Sequence, residues 1–518
     1  MLPSLPLCYA DFGIIRERNS KYVDKTQYIY KITASPKMYF LSRPRRFGKS
    51  MTLRTLQELY KGRRDLFTGL WIENYWDWTK IHPVIHISFK KLGYKTYGLE
   101  AALSTAVFDI AKNMDIILEK TDSKGRFQEL LCILGQTKRV VILIDEYDTP
   151  ISDYLETDTD LALVNKEILK EFYTVLKEND NFVELAFITG VTKFAKVDIF
   201  SDLNNFTDIS MHRDYATMLG FTQQELETNF DDYITVTAEE MEITKAELVE
   251  KMRFWYNGYR FNAKRETVYN PVSINSFFDA GEFQNFWFET GTPTVLINHL
   301  KAKGIYRFNT ENVLPEEFNS FDIKNLNTYG LLFQSGYLTL KSVDEMGGYV
   351  LGYPNYEVEK SMNAYLLDAF AGLPRAEGMR MATNVERAFI ANDIPLVIDI
   401  LQTVFKNIPY QLFIKNQNEG FFHAITHILF SYMGVLIQSE VNISDGRCDA
   451  LVQTKTHIYI IEFKLDQSPE IAMQQILDKN YAQAYQHQQK TVVGIGINFG
   501  NDIKNITGYL FDELGIRN

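Results

Sequence analysis

The stretch Val140-Val141-Ile142-Leu143-Ile144, running straight into Asp145-Glu146, restricts the fold of this chain more than any other. A β-branched apolar run without alternation is a strand buried on both faces, which requires a parallel sheet covered by helices. Comparable runs lie at residues 37–41, 84–89 and 184–189, separated by helical periodicity at 50–60 and 96–118. Residues 1–210 therefore read as a doubly wound α/β domain. In such sheets ligands sit at the carboxyl edge of the strands, where Asp145 and Glu146 emerge.

Between the first strand and its helix stands Ser42-Arg43-Pro44-Arg45-Arg46-Phe47-Gly48-Lys49-Ser50. The phosphate-loop pattern asks for Gly, four residues, then Gly-Lys-Ser/Thr. Gly48, Lys49 and Ser50 satisfy its second half, and Arg43 stands where the first glycine belongs. Backbone N–H groups at a helix start, with the dipole behind them, bind phosphate. Lys49 can reach terminal phosphates, Ser50 and Asp145 can hold Mg²⁺, and Glu146 can polarise an attacking water. Thr189 ends a third strand, placed to sense a γ-phosphate. Arg45, Arg46, Phe47, Gly48, Lys49, Ser50, Met51, Asp145 and Thr189 are the candidate nucleotide contacts, and Glu146 is the candidate catalytic carboxylate. The bland alternative is a basic surface turn beside a solvated strand end, but two such motifs on two strands favour a nucleotide site.

These segments resemble the bacterial AAA-ATPase-like family of P-loop proteins. The likeness lies in Asp11-Phe12, Ile15-Arg16, Tyr22-Val23-Asp24-Lys25-Thr26, the loop Arg43 to Ser50, Ile144-Asp145-Glu146-Tyr147-Asp148, Thr189-Gly190-Val191-Thr192-Lys193-Phe194 and Phe200-Ser201-Asp202-Leu203-Asn204-Asn205. It continues weakly through Trp255-Tyr256-Asn257-Gly258-Tyr259. The Arg-Pro-Arg-Arg start is usual for that family, and the resemblance implies ATP binding with hydrolysis.

Residues 211–375 read as a mainly helical connecting region. Thr222 and Glu225 have the spacing of a capping box, and a hairpin is expected around Gly347-Gly348. Residues 376–518 read as a compact unit in the order helix, three strands, helix, strand. There Cys448-Asp449-Ala450-Leu451-Val452 precedes Ile458-Tyr459-Ile460-Ile461-Glu462-Phe463-Lys464. Residues two apart on a strand share a face, so Glu462 and Lys464 project together, and a turn at 453–456 brings Asp449 beside them. Two adjoining carboxylates repel unless a cation lies between them, and hard oxygen ligands suit Mg²⁺ or Mn²⁺. Lys464 could then help deprotonate a water attacking a phosphodiester. A cross-strand salt bridge is the bland alternative.

This second constellation resembles the PD-(D/E)xK nuclease superfamily, in the form found behind this ATPase family. The resemblance implies a restriction-endonuclease-like α/β domain in which Asp449 and Glu462 hold metal and Lys464 is catalytic. It places Glu419 as an outer acid on the preceding helix, with Gln474-Gln475-Ile476 and Tyr481 on the helix after the core. The implied partner is nucleic acid, DNA in preference to RNA. An ATP-driven switch that binds nucleic acid or protein without cutting stays open. It is kept open by charge: residues 376–518 carry 15 acidic and 11 basic side chains, where a groove for phosphates calls for an excess of bases.

Composition sets the remaining bounds. The net charge is −12, which argues against coating nucleic acid non-specifically. Three cysteines are too few for a disulfide framework and fit a reducing, cytoplasmic location. No apolar run approaches the roughly 20 residues of a spanning helix, and the first ten residues lack the basic start of a signal peptide. Self-association is compatible with the family, with Arg213, Arg253 and Arg260 as candidate arginine fingers. His423 and His427 have zinc-compatible spacing but no third ligand. Trp71, Tyr75, Trp76 and Trp78 suit packing of a loop better than base stacking.

Overall fold

The computed structural model describes the 518 residues except 1, 8, 10, 35–37, 156, 194–205, 265, 288–293, 304, 306, 307, 309, 319–326, 409–418, 433–436, 444, 445, 486–488 and 515–518. The chain forms two compact units. The first combines Met1–Gly291 with Phe308–Glu357, and the second combines Thr292–Arg307 with Val358–Asn518.

The first unit is built on strands β1 (Met38–Ser42), β2 (Val84–Ser88), β3 (Val140–Asp145), β4 (Val183–Gly190) and β5 (Phe206–Asp208). Their order is β2-β3-β4-β1-β5, and every neighbouring pair is parallel. All residues of β3 are buried, as its unbroken apolar pattern requires. Each such aliphatic side chain contributes about 1.5–3 kcal/mol by leaving water. Helices pack their apolar stripes on this sheet, with Leu103, Val107, Phe127, Leu130, Phe172 and Leu176 in one core with Ile142 and Ile144. Strand β5 was not foreseen from the sequence: it is three half-buried residues with no apolar run. The expected helix at 96–118 is two helices, Tyr94–Tyr97 and Leu99–Lys112, parted where Gly98 takes φ 79°, which a residue with a Cβ resists.

Of the residues that follow β5, 209–291 and 308–357 belong to this same unit, and 292–307 belong to the second. Thr222 accepts from the Glu225 amide, and the Glu225 carboxylate accepts from the Thr222 amide, a capping box that starts helix Gln223–Glu240. Helices Lys245–Tyr256 and Pro271–Ala280 join it around Leu226, Phe230, Leu248, Met252, Tyr256 and Phe277. A small antiparallel sheet, β6 (Thr310–Val313), β7 (Thr339–Val343) and β8 (Tyr349–Gly352), contains the hairpin around Gly347-Gly348.

The second unit is centred on β9 (Ile437–Ile443), β10 (Gly446–Gln453), β11 (His457–Leu465), β12 (Thr491–Gly500) and β13 (Asn505–Glu513). They lie in the order β13-β12-β11-β10-β9. Only β11 and β12 pair in parallel; the other neighbours are antiparallel. A parallel pair needs a crossover, supplied here by helix Pro469–Asp478. That helix sits so close that a Cβ on Gly496 would lie 2.6 Å from the Pro469 carbonyl oxygen. The edge strand β13 was not expected, because it is largely exposed and lacks a clear apolar pattern. Among the described residues no helix is long and apolar enough to cross a membrane.

Candidate functional site

The phosphate loop of the first unit is held by its own side chains. Gly48 takes φ 97° as the N-cap of helix Lys49–Tyr60, and Arg46 takes φ 69°. The Lys49 ammonium donates to the Arg43 and Pro44 carbonyls at 2.8 and 2.9 Å. Burial lowers it to about 8, against the pull of Asp145. The loop is thus curled around Lys49, which sits where phosphate charge would replace two carbonyl dipoles.

Because β4 lies between β1 and β3, Thr189 stands next to the acid at the end of β3. Asp145 accepts from Ser50 Oγ at 2.6 Å through Oδ2 and from Thr189 Oγ1 at 2.9 Å through Oδ1. Ser50, Asp145 and Thr189, read from three separate motifs, therefore form one hydrogen-bonded chain. Glu146 follows at φ 56°, and burial raises its carboxyl above the usual range, with Lys90 opposing. Asp148 has another job. It accepts from the Val191 and Thr192 amides and from Thr192 Oγ1, tying the end of β4 to that of β3.

A cavity of about 380 Å³ opens over this loop. Arg45, Arg46, Phe47, Gly48, Lys49, Ser50, Met51 and Glu146 all line it, whereas Asp145 and Thr189 lie behind Ser50. Phe47 also packs edge-on against Tyr259 and Phe261. The cavity's far wall comes from residues that no motif singled out for a site: Tyr22, Ile29, Met218, Phe221, Val272 and Asn275. Of these only Tyr22 lies in a segment quoted for the family resemblance, and none carried a signal of its own for a site.

Arg43 does not add its charge to the phosphate side. Arg43 is 2% exposed; its guanidinium donates to the Ser42, Ser210 and Tyr215 carbonyls and lies 4.2 Å from the Phe261 ring centre. Burial pulls it down to about 9. In place of the first glycine the chain carries an internal clamp. Arg260 is likewise a structural clamp: it donates to the Asn262, Ala263, Lys264 and Lys341 carbonyls. Arg213 and Arg253 lie on the surface beside Asp214 and Glu250.

In the second unit the register pairs Ala450 with Ile461, one step from Asp449 and Glu462. Asp449 Oδ2 accepts from the Phe463 amide at 2.8 Å. Glu462 is 1% exposed; burial and the neighbouring Asp449 charge both raise its carboxyl, while Lys464 pulls the other way. Its Oε1 has no hydrogen-bond partner. Gln475, on helix Pro469–Asp478, joins the pair: Lys464 Nζ donates to its Oε1 at 2.7 Å, and its Nε2 donates to Glu462 Oε2 at 2.9 Å. Tyr481, buried nearby, has its phenol raised to about 12 by burial and by the Glu462 charge. Gln474 instead bonds Asp478 on the surface.

A pair of carboxylates under strain, with one oxygen orphaned, suits a divalent cation. Asp449 and Glu462 would hold it. Among the described residues no cluster of three His, Cys, Asp or Glu side chains forms, so further ligands would be backbone or water oxygens, as Mg²⁺ accepts. Glu419 opens helix Glu419–Tyr432, but its side chain lies outside the described residues, as do those of Phe194 and the segment 200–205. The His423 side chain also lies outside them, and His427 bonds Ser431. In the tryptophan cluster Trp76 packs on Tyr60, Trp78 on Phe67, and Trp71 stacks on Tyr75, which is packing of a loop.

Comparison with known proteins agrees with this division. A family model described as predicted AAA-ATPase matches residues 6–200. One described as PD-(D/E)XK nuclease superfamily matches residues 417–508. An "uncharacterized protein in vnfD 5'region" of Azotobacter chroococcum mcd 1 is 34% identical over 525 residues, covering 99% of each chain.

Proposed function

We propose that this chain, which belongs to the predicted AAA-ATPase family and carries a C-terminal PD-(D/E)XK superfamily domain, binds and hydrolyses ATP in its first unit and cleaves nucleic acid in its second. The observation that carries the first half is the chain Ser50–Asp145–Thr189, which reaches through Ser50 a cavity lined by Lys49 and Ser50. Gly48 and Lys49 would hold the phosphates. Ser50 and Asp145 would hold Mg²⁺, whose charge offsets that on the transferring phosphoryl group. Glu146, with its raised carboxyl, would take the proton of the attacking water.

The second half rests on Asp449, Glu462, Lys464 and Gln475. The carboxylates would hold Mg²⁺ or Mn²⁺, which supplies Lewis acidity toward a phosphodiester. Lys464, anchored by Gln475, would orient the attacking water and stabilise developing negative charge. DNA is the preferred substrate class, and ATP occupancy would govern presentation of this site.

The acidic balance of residues 376–518 favours a second reading, an ATP-driven binding module that does not cut. Metal binding separates the two. Titration of the full chain with Mn²⁺, followed by its paramagnetic resonance signal, is expected to show a site lost in Glu462→Ala. A chain without that site is a binding module.

A further inference from the structure

The phosphate loop is tied from outside as well as by Lys49. Arg46 takes φ 69°, in the left-handed region that residues with a Cβ resist. Such a conformation persists only where its surroundings impose it. Three contacts from beyond the loop do so. The Arg46 guanidinium donates to the Phe286 carbonyl, and Trp287 Nε1 donates to the Arg45 carbonyl at 3.4 Å. Gly336 follows helix Thr328–Ser335 at φ 88°, so close to the loop that a Cβ there would stand 2.7 Å from the Pro44 Cβ. The Trp287 ring also packs edge-on against Tyr259, which in turn packs against Phe47 of the loop.

Phe286 and Trp287 lie outside any helix or strand, so their own backbone pattern does not hold them. Glu357 does. Its Oε1 accepts from the Trp287 amide and its Oε2 from Ser273 Oγ, each at 2.8 Å, and the Phe286 amide bonds the same carboxyl. Glu357 is 0% exposed. Burying an ionisable group is costly, and neither half of the proposed chemistry uses this one. Its work is to fix the two residues whose carbonyl and indole clasp the loop.

We propose that Trp287 and Glu357 are positioning residues for ATP: Glu357 holds Phe286 and Trp287, and these hold Arg45 and Arg46 in the turn that receives the phosphates. The proposal rests on the ATP reading above. Successive residues of opposite hand turn their backbone N–H groups into one anion-binding concavity. Arg46 and Gly48 supply the left-handed positions here. Gly48 reaches its φ of 97° without strain, whereas Arg46 depends on the clasp. With the clasp loosened, Arg46 relaxes to negative φ and the concavity opens. The phosphates are then held less well in the ground state and the transition state alike, so the loss falls on affinity and not on kcat.

The test is calorimetric titration of the full chain with ATP and Mg²⁺, beside steady-state phosphate release, for wild type, Trp287→Phe, Glu357→Leu and Glu357→Gln. Trp287→Phe keeps an aromatic ring and removes one donor. It is expected to weaken ATP binding about fivefold, with kcat changed less than about twofold. Glu357→Leu leaves both amides without their acceptor and is expected to weaken ATP binding about tenfold or more. Glu357→Gln keeps an acceptor for Trp287 and a donor for Ser273 Oγ, and should bind ATP within about twofold of wild type. If Glu357→Leu does not fold, Trp287→Phe decides. Unchanged ATP affinity in folded Trp287→Phe overturns the proposal, whatever happens to kcat. So does a loss that appears as fewer binding sites at unchanged affinity, which is loss of folded chain. Glu357→Gln binding as weakly as Glu357→Leu overturns it too. A wild type that binds no ATP overturns the ATP reading itself, and this inference with it.

Discussion

Ser50 Oγ donates a 2.6 Å hydrogen bond to Asp145 Oδ2, joining the start of one helix to the end of a strand 95 residues away. Neither residue is held there by its own neighbours: parallel pairing of β3 with β4 and of β4 with β1 brings the two strand ends together. The contact places a hydroxyl and a carboxylate where one cation can reach both.

Asp145→Asn keeps the shape of that contact and removes the charge. ATP turnover is expected to fall by about 10²-fold or more, since electrostatic stabilisation of the transferring phosphate supplies most of the rate enhancement at such sites. Steady-state phosphate release measures it. The thermal midpoint should move little, because the amide oxygen still accepts from one of the two hydroxyls and its NH₂ donates to the other once that hydroxyl turns.

Arg43 leads to the opposite expectation. Its guanidinium bonds three carbonyls and lies on Phe261, so Arg43→Leu should destabilise the first unit by about 2–4 kcal/mol through carbonyls left unpaired. Lys offers no planar fork, so Arg43→Lys should not restore stability. Denaturant unfolding followed by fluorescence gives both numbers.

Gln475 touches neither water nor substrate in the proposed chemistry; it positions Lys464 and Glu462. Gln475→Ala is expected to slow cleavage about 10–100-fold and to raise the Mg²⁺ concentration for half-maximal rate, as loss of a supporting partner does at metal sites. A purely structural role would lower the unfolding temperature and leave the metal dependence of the remaining rate unchanged.

Glu357 gives a pH dependence. It is fully buried, accepts from the Trp287 amide and Ser273 Oγ, and burial raises its carboxyl to about 7 despite these donors. The folded chain therefore holds a proton that the unfolded chain releases near pH 4.5. The stability this contributes is full below that value and is lost as pH rises toward 7, on the order of 3 kcal/mol. Glu357→Gln should flatten unfolding free energy against pH across that window. An unchanged slope in urea unfolding between pH 5 and 7 would contradict the assignment.

Much of this was legible in the sequence because the residues concerned carry chemistry and periodicity together. The run from Val140 to Glu146 defined both a strand and its acidic end. Glu462 and Lys464 declared their shared face by spacing. What escaped was set by tertiary packing. Arg43 stood in the sequence only where the first glycine of the loop belongs, and it is the segment around Ser210 and Tyr215 that shows it turned inward. Trp287 is an ordinary aromatic residue until folding sets its indole against the phosphate loop. Strands β5 and β13 escaped because a short or exposed strand buries too little to impose a pattern.

The central claim is that one chain carries a nucleotide site and a separate metal-dependent cutting site. The most direct test measures cleavage of labelled DNA and RNA with Mg²⁺ or Mn²⁺, with and without ATP, alongside ATP turnover, for wild type and Lys464→Ala. The account predicts metal-dependent cutting by wild type, lost in Lys464→Ala while ATP turnover persists. Cutting that survives Lys464→Ala, or a wild type that hydrolyses ATP and cuts nothing under any condition, would contradict it.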